Sequence, residues 1–270
     1  ETISRNMLHM QLADGPKNPL FADAEARTAE RAEGGAPTWE PRAGLPDIYI
    51  AMGQTAENVA QYENVSRERQ DEFAVLSQNR AEASLESGYW EHEITPVDTP
   101  DGMATTDDGI RPGTTLEKIS GLNPVFRPDG TVTAGNACPL NDGAAAVIVM
   151  SDTKAKALGL TPLARVVSSA ATGLNPEIMG MGPVEASRKA LSRAGMSIGD
   201  IDLVEINEAF AAQVIPSAAQ LGVEWDKLNT RGGSIALGHP FGMTGARIMT
   251  TLIHNLQESD ATFGLETMCV

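Results

Sequence analysis

The 270-residue sequence is poor in cysteine, in aromatic residues and in positive charge, and each shortage closes off a class of protein. Two cysteines, Cys138 and Cys269, are too few for a disulfide framework, so the default setting is reduced and cytoplasmic. Twenty Lys and Arg against 36 Asp and Glu leave a net charge of −16. That balance argues against broad electrostatic binding of nucleic acid or an anionic membrane, and neither partner is expected. An anionic ligand therefore needs a local cationic spot. The longest apolar run, residues 144–150, is far too short for a membrane span. Residues 1–10 lack the basic start and apolar core of a secretory signal. What is present, 41% hydrophobic and 21% charged residues, is ordinary for a soluble globular chain long enough to form two compact units.

The sequence starts without methionine and stops at Cys269-Val270 within an expected strand, so it is read as a segment of a longer protein. Residues 15–46 are rich in Gly, Pro, Ala and charge and predict an irregular excursion. A helical pair follows over 54–63 and 66–88, the second capped by Ser66. Residues 93–97 predict a short strand, and 100–130 is turn-rich, with Arg111, Lys118 and Arg127 as scarce positive charges. The continuous apolar run 142–151 predicts a strand buried on both faces, and 152–158 a helix. From residue 163 the pattern alternates. Strands are expected over 165–170, 202–206, 234–237 and 262–269. Helices are expected over 183–194, 208–221 (broken near Pro216) and 240–257. Such alternation implies a mainly parallel sheet covered by helices, the α/β class, with the loop-rich first half inserted between pieces of a sheet domain.

The densest stretch is 232–246, GGSIALGHPFGMTGA, with five glycines, a His-Pro pair and almost no charge. It matches neither GxGxxG nor GxxxxGK[ST], so it is not read as a nucleotide phosphate loop. His239 is expected at a strand-to-helix turn, where the positive end of the helix dipole favours the neutral imidazole. In open α/β sheets the ligand crevice lies at the carboxyl ends of strands. Asn207, His239 and Cys269 each fall at such an end. Neighbouring strands would bring an amide, an imidazole and a thiol to one crevice. Residue types and spacing alone allow acyl transfer through a thioester or a Cys-His-Asn hydrolase.

NEAFAAQ at 207–213, RGGSIALGHPFGMTGARI at 231–248 and GLETMC at 264–269 resemble the C-terminal signature blocks of the thiolases. MGQTAENVA at 52–60, SQNRAEAS at 77–84, TVTAGNACPLNDGAAA at 131–146 and MGMGPVEASRKAL at 179–191 are similar to the intervening blocks. The resemblance covers nearly the whole chain. It implies two similar βαβαβ-type domains face to face with an inserted loop domain. Residues 1–11 and 141–161 would be a remnant of the N-terminal domain, 12–140 the loop domain and 162–270 the C-terminal domain.

It also implies an acyltransferase that cleaves 3-ketoacyl-CoA reversibly or condenses acetyl-CoA, through an acylated cysteine on a block preceding Glu1. The segment alone would then be inactive. A thiolase-like acyl-CoA binder without catalysis is the alternative. Cys269 matches the cysteine that moves the α-proton of acetyl-CoA. His239 matches the histidine that activates the nucleophile and helps form an oxyanion hole, and Asn207 the residue that holds the water of that hole. Coenzyme A is expected as substrate, with no resident cofactor or metal. Met52, Phe126, Ala134, Cys138, Leu140, Met179, Ala209 and Phe210 fall on family pocket positions, and Arg111 on one that meets the nucleotide end. Two positions depart from the synthetic enzymes: Ala51 stands where a histidine is common, and Cys138, followed by Pro139, where a serine contacts the pantetheine arm. These departures favour a degradative or broader 3-ketoacyl-CoA specificity. A homodimer or homotetramer is implied as well.

Overall fold

The first half of the chain is built against one helix, α2 (Met52–Tyr62), in the computed structural model, which describes residues 17–269. Residues 53–60 of that helix are all buried, Gln54, Glu57 and Asn58 among them. Buried polar groups need partners, and one loop supplies many of them. Glu57 accepts from the backbone N–H groups of Thr131 and Val132 at 2.9–3.0 Å, Gln54 donates to the Phe126 carbonyl at 2.7 Å, and Arg127 donates to Gln54 and Asn58 at 2.7 Å. Loop 126–132 is thereby clamped to α2. The expected second helix is α3 (Arg67–Glu86), its first turn capped by the Ser66 hydroxyl, which accepts from the Arg69 N–H at 3.2 Å.

The second half supplies α6 (Gly182–Ala194), β3 (Leu203–Ile206), α7 (Ala211–Leu221), α8 (Ser234–Leu237), α9 (Phe241–Glu258) and β4 (Gly264–Thr267). Gly195, at φ +68°, closes α6 in the left-handed conformation that glycine adopts most easily. β3 and β4 pair in parallel with Val204 beside Leu265 and Glu205 beside Glu266. On the other side of β3, Val204 N–H donates to the Lys227 carbonyl and Asn229 N–H to the Val204 carbonyl, both at 2.9 Å. One core joins the two halves: Val59 from α2 and Phe73 from α3 pack with Val204, Ile206, Val214, Leu228 and Ile235. Fully burying a side chain such as Phe73 or Ile206 contributes about 1.5–3 kcal/mol. Among the described residues no helix is long and apolar enough to cross a membrane.

Several expected elements are corrected. Within the expected irregular excursion, Ala22–Ala32 forms α1, carried by the helix propensity of its Ala, Glu and Arg residues, although only Ala24 is buried. Residues 1–11, expected in an N-terminal domain remnant, lie outside the described residues. The strand expected over 93–97 is displaced to β1 (Val97–Thr99), which pairs antiparallel with β2 (Gly102–Ala104). Glu93 is instead drawn to α9, where it accepts from the Thr251 hydroxyl at 2.8 Å.

The runs 142–151 and 165–170 form no strand. Ile148 is 87% and Val149 80% exposed, and among the described residues no strand lies beside either run to take up its N–H and C=O groups. Two short helices, α4 (Leu116–Ser120) and α5 (Asp152–Ala157), complete the described set, the latter as expected. α7 begins at Ala211 rather than 208 and continues through Pro216 without a break. Residues 209–211 are held extended by 136–138: Cys138 N–H donates to the Ala209 carbonyl and Ala211 N–H to the Asn136 carbonyl. The described strands thus make two two-stranded ladders rather than one mainly parallel sheet.

Residues 234–237, expected as a strand, are a single helical turn: Leu237 N–H donates to the Gly233 carbonyl and Gly238 N–H to the Ser234 carbonyl, both at 2.9 Å. The cause is Glu208. Its buried carboxylate accepts from Ser77, from Asn229 and from the Ile235 N–H at 2.6–3.1 Å, and the backbone curls around it. Gly233 lies so close that an added Cβ would stand 2.2 Å from the Glu208 carboxyl carbon.

Candidate active site

Asn207 follows β3 and Cys269 closely follows β4, so the parallel pair delivers both to one end of the ladder. The ladder reaches Asn207 itself, whose N–H donates to the Thr267 carbonyl at 3.0 Å. His239 comes from a helix-to-helix turn between α8 and α9, not from a strand end. That turn requires Gly238: its φ is +89°, and an added Cβ would stand 2.2 Å from the Asn141 side chain. Asn141 Oδ1 in turn accepts from the His239 N–H at 3.0 Å.

The three expected residues meet in part by direct contact. Asn207 Nδ2 donates to His239 Nε2 at 3.1 Å. His239 Nδ1 lies 2.6 Å from Thr244 Oγ1, and the Thr244 hydroxyl donates to the Pro240 carbonyl at 2.9 Å. A hydroxyl has one proton. Because Thr244 directs its proton to Pro240, it accepts from Nδ1–H, and Nε2 is left bare. Burial first, and the Arg247 charge second, lower the His239 pKa to about 4, so the ring is neutral near pH 7. A neutral imidazole with a bare Nε2 is a proton acceptor.

Cys269 is half-buried, and burial pushes its thiol up to about 11. Cys138, also half-buried, is pushed up to about 12, chiefly by burial and then by the nearby Cys269. Both sulfurs therefore rest as thiols. Neither belongs to a disulfide.

The expected substrate-contacting residues separate into groups. Phe126 stacks edge-on against Phe210, ring centroids 6.1 Å apart, and Gly53 beside Met52 admits the Phe126 ring where a Cβ would clash at 2.2 Å. Ala209 and Cys138 join this group through the 136–138 to 209–211 pairing. Met52, Ala134 and Leu140 are exposed. Met179 is half-buried in a turn of 3-10 helix, Pro176–Met181, tied to α2 by Asn58, which donates to the Glu177 carbonyl at 2.9 Å. Arg111 stands apart on an exposed loop over α3, where its N–H donates to Gln78 Oε1 at 2.9 Å. Two cavities of about 380 and 320 Å³ open along α1, and neither is lined by His239, Asn207 or Cys269.

Sequence reasoning passed over Asn141, Glu208, Ser234, Thr244 and Arg247. Each sits inside a recognised block, yet its role emerges only from its contacts. Ser234 Oγ donates to Asn207 Oδ1 at 2.5 Å, and Arg247 Nη2 donates to Ser234 Oγ at 3.4 Å. A glutamate directly after the expected amide, at the head of an apolar helix, was the one readable signal.

A parallel pair that carries an amide and a thiol to one end of its ladder, with the amide bonded to a neutral imidazole, defines a class. Residues 38–153 match the family model of the thiolase N-terminal domain and residues 160–270 that of the thiolase C-terminal domain; the chain belongs to the thiolase family and has its α/β fold. Within that family it is 53% identical over 234 residues to the acetyl-CoA acetyltransferase of Cupriavidus necator, a match spanning 84% of this chain and 60% of that one. It is 46% identical over 275 residues to the acetyl-CoA acetyltransferase of Escherichia coli K12, spanning 99% of this chain and 68% of the relative. The crystal structure of human mitochondrial 3-ketoacyl-CoA thiolase in complex with CoA superposes with a TM-score of 0.80 at 44% identity, over 82% of this chain and 56% of that one. The chain thus spans about three fifths of the length of such relatives.

Proposed function

We propose that the protein, in its full-length form, catalyses reversible thiolysis of a 3-ketoacyl-CoA to acetyl-CoA and a shortened acyl-CoA, the reverse being Claisen condensation of acetyl-CoA. The observation that carries this reading is the hydrogen bonding of His239, whose Nδ1–H is turned to Thr244 and whose Nε2 accepts from Asn207, so that Nε2 carries no hydrogen, while burial favours the thiol at Cys269. Those are the starting states that thiolysis needs. A nucleophilic cysteine on a block preceding Glu1 gives its proton to His239 Nε2, which gives up the Asn207 hydrogen bond to take it, and attacks the 3-keto carbon. The C2–C3 bond breaks, and its electron pair becomes the enolate of acetyl-CoA. Cys269 then gives its thiol proton to C2, and the acyl group stays on the nucleophile until coenzyme A removes it; the coenzyme A thiol proton passes to the Cys269 thiolate, and the freed nucleophile takes its own proton back from His239. Once protonated, His239 Nε2 can donate to the developing oxyanion, and Asn207 Nδ2 beside it holds a water for the same purpose.

Cys138 is not the nucleophile in this reading, because its block, 131–146, matches the loop-domain wall that meets the pantetheine arm. It lines the pantetheine arm with Met52, Phe126, Ala134, Leu140, Met179, Ala209 and Phe210. Coenzyme A is a substrate here, and Arg111 is the cation for its nucleotide end. Residues 1–11 and 141–161 belong to an N-terminal domain, 12–140 to a loop domain and 162–270 to a C-terminal domain, in a cytoplasmic homodimer or homotetramer that serves fatty-acid β-oxidation.

The test is cleavage of acetoacetyl-CoA, or of a longer 3-ketoacyl-CoA, by the full-length protein on addition of coenzyme A. Cys269→Ala is expected to lower kcat by roughly 10²–10⁴, the share that general acid–base catalysis contributes. Rates near those of the parent would remove Cys269 from the chemistry. Binding of acyl-CoA with no cleavage by the parent would identify a non-catalytic acyl-CoA binder instead.

A further inference from the structure

The hydrogen bonds around His239 form one directed chain. Arg247 can only donate, so Ser234 Oγ accepts from its Nη2 at 3.4 Å and sends its own proton to Asn207 Oδ1 at 2.5 Å. With Oδ1 so engaged, the Asn207 amide must present Nδ2–H to His239 Nε2, at 3.1 Å. From the far end, the Pro240 carbonyl can only accept, which turns Thr244 toward it and requires Nδ1–H on His239. The two ends impose the same tautomer. Ser234 is 0% exposed, so water is not at hand to replace its hydroxyl as the partner of Asn207 Oδ1. Ser234 is where the buried guanidinium of Arg247 finds its acceptor, because among the described residues its Nε and Nη1 have no hydrogen-bond partner.

We propose that Ser234 and Arg247 are positioning residues, which orient the Asn207 amide so that its Nδ2–H rests on His239 Nε2 and keeps that nitrogen bare until a proton arrives from the nucleophile. The proposal rests on the reading of His239 as the site's base. Two effects on the same ring then act together. The amide hydrogen bond stabilises the neutral imidazole, and the guanidinium on α9 repels a second proton. Other titratable groups near the chain do not reverse this. The Cys138 and Cys269 thiols are held protonated by burial. Glu205 on β3, Glu266 on β4, Glu208 before α7 and Asp107 in the loop after β2 face Arg247, and burial raises all four, which limits how far they neutralise it.

The experiment is an NMR titration of the ring nitrogens of His239 in the full-length protein labelled with ¹⁵N-histidine, for the parent, Ser234→Ala, Ser234→Thr and Arg247→Gln. The parent is expected to show Nδ1–H and a bare Nε2, with a midpoint well below that of free histidine. Ser234→Ala and Arg247→Gln are each expected to raise the midpoint by on the order of one pH unit, and Ser234→Thr, which keeps the hydroxyl, to restore it. The acid limb of kcat/KM moves by the same amount. A purely structural role for Ser234 lowers the melting temperature but leaves the titration where it was. A Ser234→Ala curve that superposes on the parent's overturns the proposal. Should that variant not fold, Ser234→Cys, whose thiol is only a weak donor, reads the same shift. The ring titration needs no turnover, so it decides this proposal separately from the enzymatic one.

Discussion

At the scale of single residues, the hydrogen bonds around His239 remove its choices. Thr244 removes the choice of tautomer, and the loss of its hydroxyl has a definite size. One net hydrogen bond contributes about 1 kcal/mol, or a factor of about five in rate. Thr244→Val is therefore expected to lower kcat by about that factor, with Thr244→Ser close to the parent, measured by acetoacetyl-CoA thiolysis. A tenfold larger loss in Thr244→Ser would mean that the methyl packing, not the hydroxyl, fixes the ring. The pH profile carries the same message. Only neutral His239 accepts a proton, and its pKa is lowered to about 4. Activity that depends on the base should therefore hold level as pH falls from 7 to 5, and break near 4 rather than near 6.5 in kcat/KM measured against pH. That Asn207, His239 and Cys269 stand at the ends of elements was legible, because reactive side chains that close short apolar runs stand out in a sequence. Ser234, Thr244 and Arg247 were not, because a hydroxyl or a guanidinium inside a helical block has no mark until its partner is placed beside it.

At the scale of elements, the stretch 232–246 shows where pattern reading stops. Four apolar or small residues between glycines suit a strand as well as a single helical turn, and the decision was made by the buried Glu208 carboxylate, 26 residues upstream of Ser234. The helices over 52–62, 67–86, 182–194 and 241–258 were legible because each buries a face of its own, and because Ser66 and Gly195 mark two of their ends. The runs 142–151 and 165–170 show the opposite dependence. A strand is completed by its neighbours, and apolar content alone leaves these residues exposed.

The turn into α9 is testable by contrasting two glycines. Gly238 and Gly195 both have positive φ, but a Cβ at Gly195 meets nothing within 4 Å while one at Gly238 strikes Asn141. Gly195→Ala should cost about 1–2 kcal/mol of stability, the strain of the left-handed conformation, and leave thiolysis unchanged. Gly238→Ala should add a loss of activity, because Asn141 and with it the His239 N–H are displaced. Urea denaturation and thiolysis rates on both variants separate the two effects, and unchanged activity in Gly238→Ala would detach Asn141 from the site.

At the scale of the whole molecule, the α/β class and the parallel β3–β4 pair were legible, whereas the charge buried beneath them was not. Glu205 and Glu266 stand side by side in the parallel register, and Arg247 faces them from α9. Burial raises Glu205 to about 8 and Glu266 to about 7, with Arg247 offsetting part of the rise. The sign of the stability effect follows from proton counts. Below about pH 4.5 both carboxyls are protonated in the folded and unfolded chain alike. Above it the unfolded chain ionises them while the folded chain keeps its protons, so the native state binds more protons and stability falls as pH rises, levelling off once Glu205 ionises near 8. His239 acts the other way between about 4 and 6.5, where the unfolded chain is protonated and the folded ring is not. Between pH 6.5 and 8 the carboxyls alone act. One proton's difference is worth about 1.4 kcal/mol per pH unit, so Glu205 should remove about 2 kcal/mol across that window. Urea denaturation of the parent at pH 6.5 and 8 is expected to show this fall, and Glu205→Gln, which cannot ionise, to flatten most of it. A parent whose stability holds level over the window would mean that Glu205 is ionised in the fold and paired with Arg247.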